Sequence, residues 1–134
     1  MITYLLDTST CIYILKRKPI AVLLKFQSLT HETIGVSSIT VAELLFGVDK
    51  SSMPEKNGLE VKDFLDRLQI LNFDQNAALH YGQIRSNLEK KGIPIGPLDT
   101  LIAAHAKSLN AILVSNNLKE FDRVEGLLTE NWIE

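Results

Sequence analysis

The sequence predicts an α/β protein, a three-layer α/β/α arrangement around a central, mostly parallel sheet. Three observations predict it. Short apolar runs at 3–6, 34–37, 70–73 and 111–114 alternate with longer stretches whose apolar residues recur at helical spacing. Strands separated by helices pair in parallel, because each crossover needs a helix to return the chain. No repeat, low-complexity tract or linker divides the 134 residues, a length that builds one sizeable core, so the expected organisation is a single domain over 1–134.

The elements follow in order. The first run ends at Asp7, and Ser9 or Thr10 can cap a helix continuing through Lys16. Pro19 suits the first turn of a second helix carrying Ile20, Leu23, Leu24 and Phe26. Ile34-Gly-Val-Ser reads as the second strand. From Ile39 to Val48, the residues Val41, Leu44, Leu45 and Val48 follow one helical face, while Ala42 and Phe46 lie off that stripe and call for a second covering surface. That surface is either the domain's own second layer or a protein interface, in which aromatic anchors are enriched. After the break at 51–54, Val61, Phe64, Leu65 and Leu68 repeat the helical spacing. Ile70-Leu-Asn-Phe is a strand. Asp74 caps a long helix to Lys91, stopped by Gly92. Pro97 opens a further helix with Leu98, Leu101, Ile102, His105 and Leu109 on one face. A buried strand at 111–114 leads to Ser115-Asn-Asn, and the tail holds Trp132 and a last short strand.

Composition bounds the function. Apolar residues at 46% and charged residues at 22% are those of an ordinary globular chain. No apolar run approaches the roughly 20 residues that span a bilayer. Met1 leads directly into the first strand with no basic leader or cleavage site, so the expected location is the cytoplasm and no membrane is involved. Cys11 is the only cysteine, which excludes an internal disulfide and a cysteine zinc cluster. A formal charge of −2 provides no global field for nucleic acid, so any such contact needs a local patch. Lys16, Arg17, Lys18, Arg85, Lys90, Lys91 and Lys107 are the candidates, with Arg85 one turn beyond Tyr81 placed to meet a splayed base.

In open α/β sheets, ligands gather beyond the carboxyl ends of the strands. Asp7 directly follows the first strand, Glu43 lies in the first turns of the helix after the second, and Asn116, Asn117 and Glu120 follow the last buried one. Asp99 sits in the first turn of the helix opened by Gly96-Pro97. Carboxylates forced together raise one another's pKa unless a cation sits between them. Oxygen-only donors favour Mg²⁺, with Mn²⁺ as substitute, a combination suited to phosphodiester hydrolysis. Each acid also has a structural reading: Asp7 as a turn cap, Thr40-x-x-Glu43 as a capping box, Asp99 as a complement to the helix dipole. Their grouping is what favours chemistry. Thr8, Ser9 and Thr40 can orient carboxylates or serve as caps.

At these residues the chain resembles the PIN-domain family, and within it the VapC toxins of bacterial toxin-antitoxin pairs. The resemblance rests on Leu5-Leu-Asp-Thr-Ser, Ser37-Ser-Ile-Thr-Val-Ala-Glu-Leu, Gly92-Ile-Pro-Ile-Gly-Pro-Leu-Asp-Thr-Leu-Ile-Ala and Val114-Ser-Asn-Asn-Leu-Lys-Glu-Phe, in order over nearly the whole chain. It implies a PIN-like fold and Mg²⁺-dependent cleavage of RNA, with Asp7, Glu43 and Asp99 as metal-binding acids. It further implies initiator tRNA, cut in its anticodon loop, as substrate, a VapB-like antitoxin as partner, and a homodimer. The chain departs from many relatives at Ser9, where they carry Asn, and near the last strand, where they carry Asp and this chain offers Asn117 and Glu120. The fourth site residue is therefore open between those two.

Two other readings compete. An aspartyl-phosphate phosphatase also places an Asp after its first strand, but usually has a second Asp where this chain has Ser9. A receiver-like interaction domain would use the same rim to bind a partner without hydrolysis. His31, His80 and His105 are not spaced as a metal set, and Cys11 reads as a small buried apolar residue.

Overall fold

The apolar run after Thr3 becomes the middle strand of the sheet. The computed structural model describes residues 1–133; Glu134, inside the expected single domain, lies outside the described residues. The chain runs β1 (Tyr4–Leu6), α1 (Thr8–Lys16), α2 (Ile20–Gln27), a 3₁₀ turn (His31–Thr33), β2 (Ile34–Ser37), α3 (Ser38–Asp49), α4 (Pro54–Leu65) and β3 (Gln69–Leu71). It continues with α5 (Gln75–Lys90), α6 (Pro97–Ser108), β4 (Ile112–Val114), α7 (Leu118–Phe121) and β5 (Thr129–Glu130).

The sheet order is β3-β2-β1-β4-β5, and every pairing is parallel. Leu6 is level with Val36 on one side and Val114 on the other. Because side chains alternate across a strand, Leu6, Val36 and Val114 face one helical layer while Leu5 and Leu113 face the other. The first layer packs Ile14, Val22, Phe26, Leu44, Val61 and Phe64 from α1, α2, α3 and α4. The second packs Ile84, Leu88, Ile102, Ala103, Ala106 and Phe121 from α5, α6 and α7. Two buried faces explain why the strands read as continuous apolar runs. The expected three-layer class is what the chain forms.

Local chemistry sets the boundaries. Gly35 lets β2 approach β3, since a Cβ there would lie 3.1 Å from the Ile2 and Leu71 side chains and 3.2 Å from the Gln69 carbonyl. Asp74 accepts the Ala77 N–H at 2.9 Å and caps α5, and Gly92 at φ 70° ends that helix as the sequence suggests.

Two caps differ from expectation. Asp7, not Ser9 or Thr10, caps α1 by accepting the Thr10 N–H, because the helix begins immediately after the strand. Ser37, not Thr40, caps α3 by accepting the Ile39 N–H, so the Thr40-x-x-Glu43 pattern lies one turn inside the helix and makes no capping box. Thr40 is instead fully buried, and Leu45, expected on the inner stripe, is exposed beside Phe46. Among the described residues no helix is long and apolar enough to cross a membrane.

Candidate active site at the strand switch point

The chain winds from β1 outward to β2 and β3, then returns to place β4 on the other side of β1. Loops after β1 and β4 therefore diverge and leave a crevice at their carboxyl ends, the place where open α/β sheets bind ligands. Asp7 ends β1 at one wall of this crevice; Ser115 and Asn116 end β4 at the other.

Asp7 is buried and tightly held. Its Oδ1 accepts the Thr10 N–H at 2.8 Å, and the Ser9 hydroxyl lies 3.0 Å from both carboxylate oxygens. Ser9 also lies 3.0 Å from Asn116 Oδ1, and Asn116 in turn donates to the Tyr13 hydroxyl at 2.7 Å. A single serine proton is thus shared among three acceptors, which ties the end of β1 to the end of β4. The Thr10 hydroxyl adds a further tie, donating to the Val114 carbonyl.

Glu43 reaches the same crevice from the second turn of α3. Thr8 donates its hydroxyl to Glu43 Oε1 at 2.7 Å and lies 3.3 Å from the Thr40 hydroxyl. Among the described residues Glu43 Oε2 has no hydrogen-bond partner. Glu120 comes from α7, where Asn117 donates its amide to Oε2 at 3.2 Å. Asn117 therefore orients Glu120.

Asp99 is the most perturbed of the four. Burial first, then a hydrogen bond with Glu120 and the negative charges of Glu120, Asp7 and Glu43, together push its carboxyl up to about 6. Asp7, Glu43 and Glu120 thus all act on Asp99. The nearby Cys11 thiol is pushed up by burial and then by Asp7 and Glu43, which leaves it an inert apolar filler as expected.

Among the described residues none of the four acids forms a salt bridge; the ion pairs present join Lys62 to Asp66, Arg67 to Asp63, Arg85 to Glu89 and Lys91 to Glu125. Nor do three Asp, Glu, His or Cys side chains there already stand at metal-ligand spacing. The acids are coupled through charge without forming a closed cage. An oxygen-only donor set with an uncompensated negative charge fits a hard divalent cation, and closing on one would need carboxylate rotation.

Two neighbours escaped the sequence reading. Tyr13 closes the Asn116 contact, and His105, to which no chemistry was assigned, places Nδ1 2.8 Å from Ser37 Oγ in the core. Neither signals itself by spacing. His105 also packs edge-on against Phe73 and is held below its ordinary pKa by burial.

A doubly wound parallel sheet with four acids converging at its switch point defines the class. The chain belongs to the PIN domain family, whose model matches residues 4–127. It is 50% identical over 133 residues, 99% of this chain and 100% of the relative, to the protein of Haemophilus influenzae (strain ATCC 51907 / DSM 11121 / KW20 / Rd) named ribonuclease VapC2. It is 45% identical over 132 residues, 98% of this chain and 99% of the relative, to a Shigella flexneri protein named tRNA(fMet)-specific endonuclease VapC. Its fold superposes with a TM-score of 0.94 on a chain of the DNA-bound VapBC complex of Salmonella typhimurium, at 45% identity over 98% of this chain and 99% of that one.

Proposed function

We propose that this chain is the endoribonuclease toxin of a toxin-antitoxin pair, hydrolysing RNA phosphodiesters with Mg²⁺ or Mn²⁺. The observation that carries the reading is the convergence of Asp7, Glu43, Asp99 and Glu120 with no salt bridge to any of them among the described residues. The names of the Haemophilus and Shigella relatives support it.

Asp7, Asp99 and Glu43 would hold the cation, with Glu120 as the fourth acid. When bound, such an ion supplies acidification of water and neutralisation of charge on the phosphate. The protein's own part is positional. Asp7 is fixed by the Thr10 N–H and Ser9, and Glu43 is fixed at Oε1 by Thr8. Where Glu43 is not a ligand, its free Oε2 takes the proton of the attacking water while the P–O bond to the leaving ribose oxygen breaks and that oxygen is protonated from solvent. An aspartyl-phosphate route is disfavoured, because Ser9 stands where such enzymes usually carry a second Asp.

The proposed substrate is initiator tRNA, as the Shigella relative's name suggests, with the anticodon loop as the proposed place of cleavage. The proposed partner is a VapB-like antitoxin, by likeness to the Salmonella complex; a homodimer in the cytoplasm is proposed alongside it, with the exposed Leu45 and Phe46 of α3 as its apolar surface.

The decisive experiment incubates purified protein with initiator tRNA, with and without Mg²⁺, and sequences the RNA ends. Cleavage should need the cation and disappear in Asp7→Asn and Asp99→Ala. Cleavage that survives both substitutions, or that proceeds in excess EDTA, would refute the assignment.

A further inference from the structure

Helix α5 carries a glycine in its interior that packing does not explain. A Cβ built on Gly82 would meet no heavy atom within 4 Å. A helix-interior glycine costs about 1 kcal/mol relative to alanine, so its open space needs another reason. Gly82 lies in a shallow hollow with Arg85, Ser86, Glu89 and Lys90.

Arg85 is the partition between that hollow and a cleft of about 200 Å³ bounded by Tyr81, Glu89, Pro94, Ile95, Pro97 and Thr100. Its Nη1 donates to the Tyr81 hydroxyl at 3.0 Å and its Nε to Glu89 at 2.9 Å, while the side chain stays more than half exposed. One phenol ring, one guanidinium plane and an aliphatic wall are the groups on which unpaired bases stack. The Thr100 hydroxyl is turned inward to the Gly96 carbonyl, which leaves the wall apolar on that side. The cleft shares the first turn of α6 with Asp99, since Pro97 and Thr100 both line it.

We infer that this cleft is a subsite for one unpaired nucleobase of an RNA substrate, with Arg85 on the adjoining phosphate and Gly82 leaving room for the strand. The inference rests on the ribonuclease reading. Charge favours RNA over a protein occupant: the hollow sets Arg85 and Lys90 against a single acid, Glu89, which pairs with Arg85 and leaves Lys90 as the surplus positive charge. A phosphate replaces Glu89 on the guanidinium without leaving a buried charge, because both partners are exposed.

The test measures binding of a fluorescein-labelled RNA hairpin with a single-stranded loop, in EDTA, to wild type, Gly82→Glu and Arg85→Ala. Each substitution should weaken binding about tenfold, the loss expected for one stacked base. Arg85→Ala should also lower the slope of log affinity against log salt by about 0.7, the signature of one lost phosphate contact. Gly82→Glu should melt at or above the wild-type temperature, so misfolding cannot explain its loss. Wild-type affinity and salt slope in both variants, from a protein that cleaves RNA with Mg²⁺, overturn the subsite and leave the ribonuclease reading standing. A change in sedimentation with RNA affinity intact also overturns it, by making the face a protein contact. Failure of wild type to cleave any RNA removes the underlying reading, and the subsite with it.

Discussion

Thr8 donates its hydroxyl to Glu43 at 2.7 Å, joining the first turn of α1 to α3 across 35 residues of chain. The bond fixes one carboxylate oxygen and leaves the other to face the crevice. Thr8→Val keeps the shape and removes the donor. A hydrogen bond to a charged group contributes about 1.5 kcal/mol, so RNA cleavage should fall roughly tenfold. The melting temperature should change little, as Thr8 is only half-buried. Cleavage at the wild-type rate in Thr8→Val would show that Glu43 needs no such anchor.

Asp99 links the site to stability. Its carboxyl titrates at about 6 in the folded chain, above its ordinary value of 3.8. Between those values the folded state binds more protons than the unfolded one, so without a divalent cation this group destabilises the protein as pH rises through that window. Asp99→Asn should remove the penalty. At pH 7.5 in EDTA it should gain about 1 kcal/mol or less, since the group is only partly buried, or roughly 3 °C by calorimetry. Mg²⁺ should stabilise wild type above pH 6 and progressively less below it, and should do little for the variant. A variant that melts below wild type in EDTA at this pH would contradict the charge coupling.

His105 predicts the opposite slope. Burial holds its imidazole below its ordinary value of 6.5, so the folded chain keeps the ring neutral while the unfolded chain takes up a proton as pH falls below 6.5. Stability is therefore lost on acidification through that region. Nearby Asp74 opposes the shift without reversing it. In His105→Gln, the fall in melting temperature between pH 7 and pH 5 should be shallower than in wild type. Parallel melting curves would show that the ring does not titrate there.

Phe121 is fully buried against the second helical layer and follows Glu120 directly. Phe121→Ala should cost about 3–5 kcal/mol, the range for emptying a large aromatic from a core. It should also loosen α7 and with it the fourth acid, so RNA cleavage should fall further than in Phe121→Leu at matched folded fraction. Chemical denaturation followed by tryptophan fluorescence at Trp132 measures the first effect, and cleavage kinetics the second.

Much of this site was legible in the sequence because topology supplies the rule. Asp7, Glu43 and Glu120 each follow a run of buried strand, and a parallel sheet brings such positions to one rim whatever the loops do. Asp99 depended on Pro97 fixing where α6 begins. The caps were less legible, since Ser9, Thr10 and Thr40 all have the right chemistry and only the strand ends decide which residue stands at the helix start. Leu45 was misplaced for a related reason: with apolar residues on several sides of α3, periodicity alone does not select the buried stripe. The Ser37–His105 contact joins residues far apart in sequence, and no local pattern announces it.

The placement of β1 between β2 and β4 also has a temporal side. Asp7 is synthesised well before the strand that completes its crevice and the helix bearing Glu120. Pairing between such distant segments is slow, because the chain must close a long loop before any contact rewards it. On a ribosome the four acids therefore stay dispersed until nearly the whole domain has emerged. Until α7 has emerged, a nascent chain has no working centre.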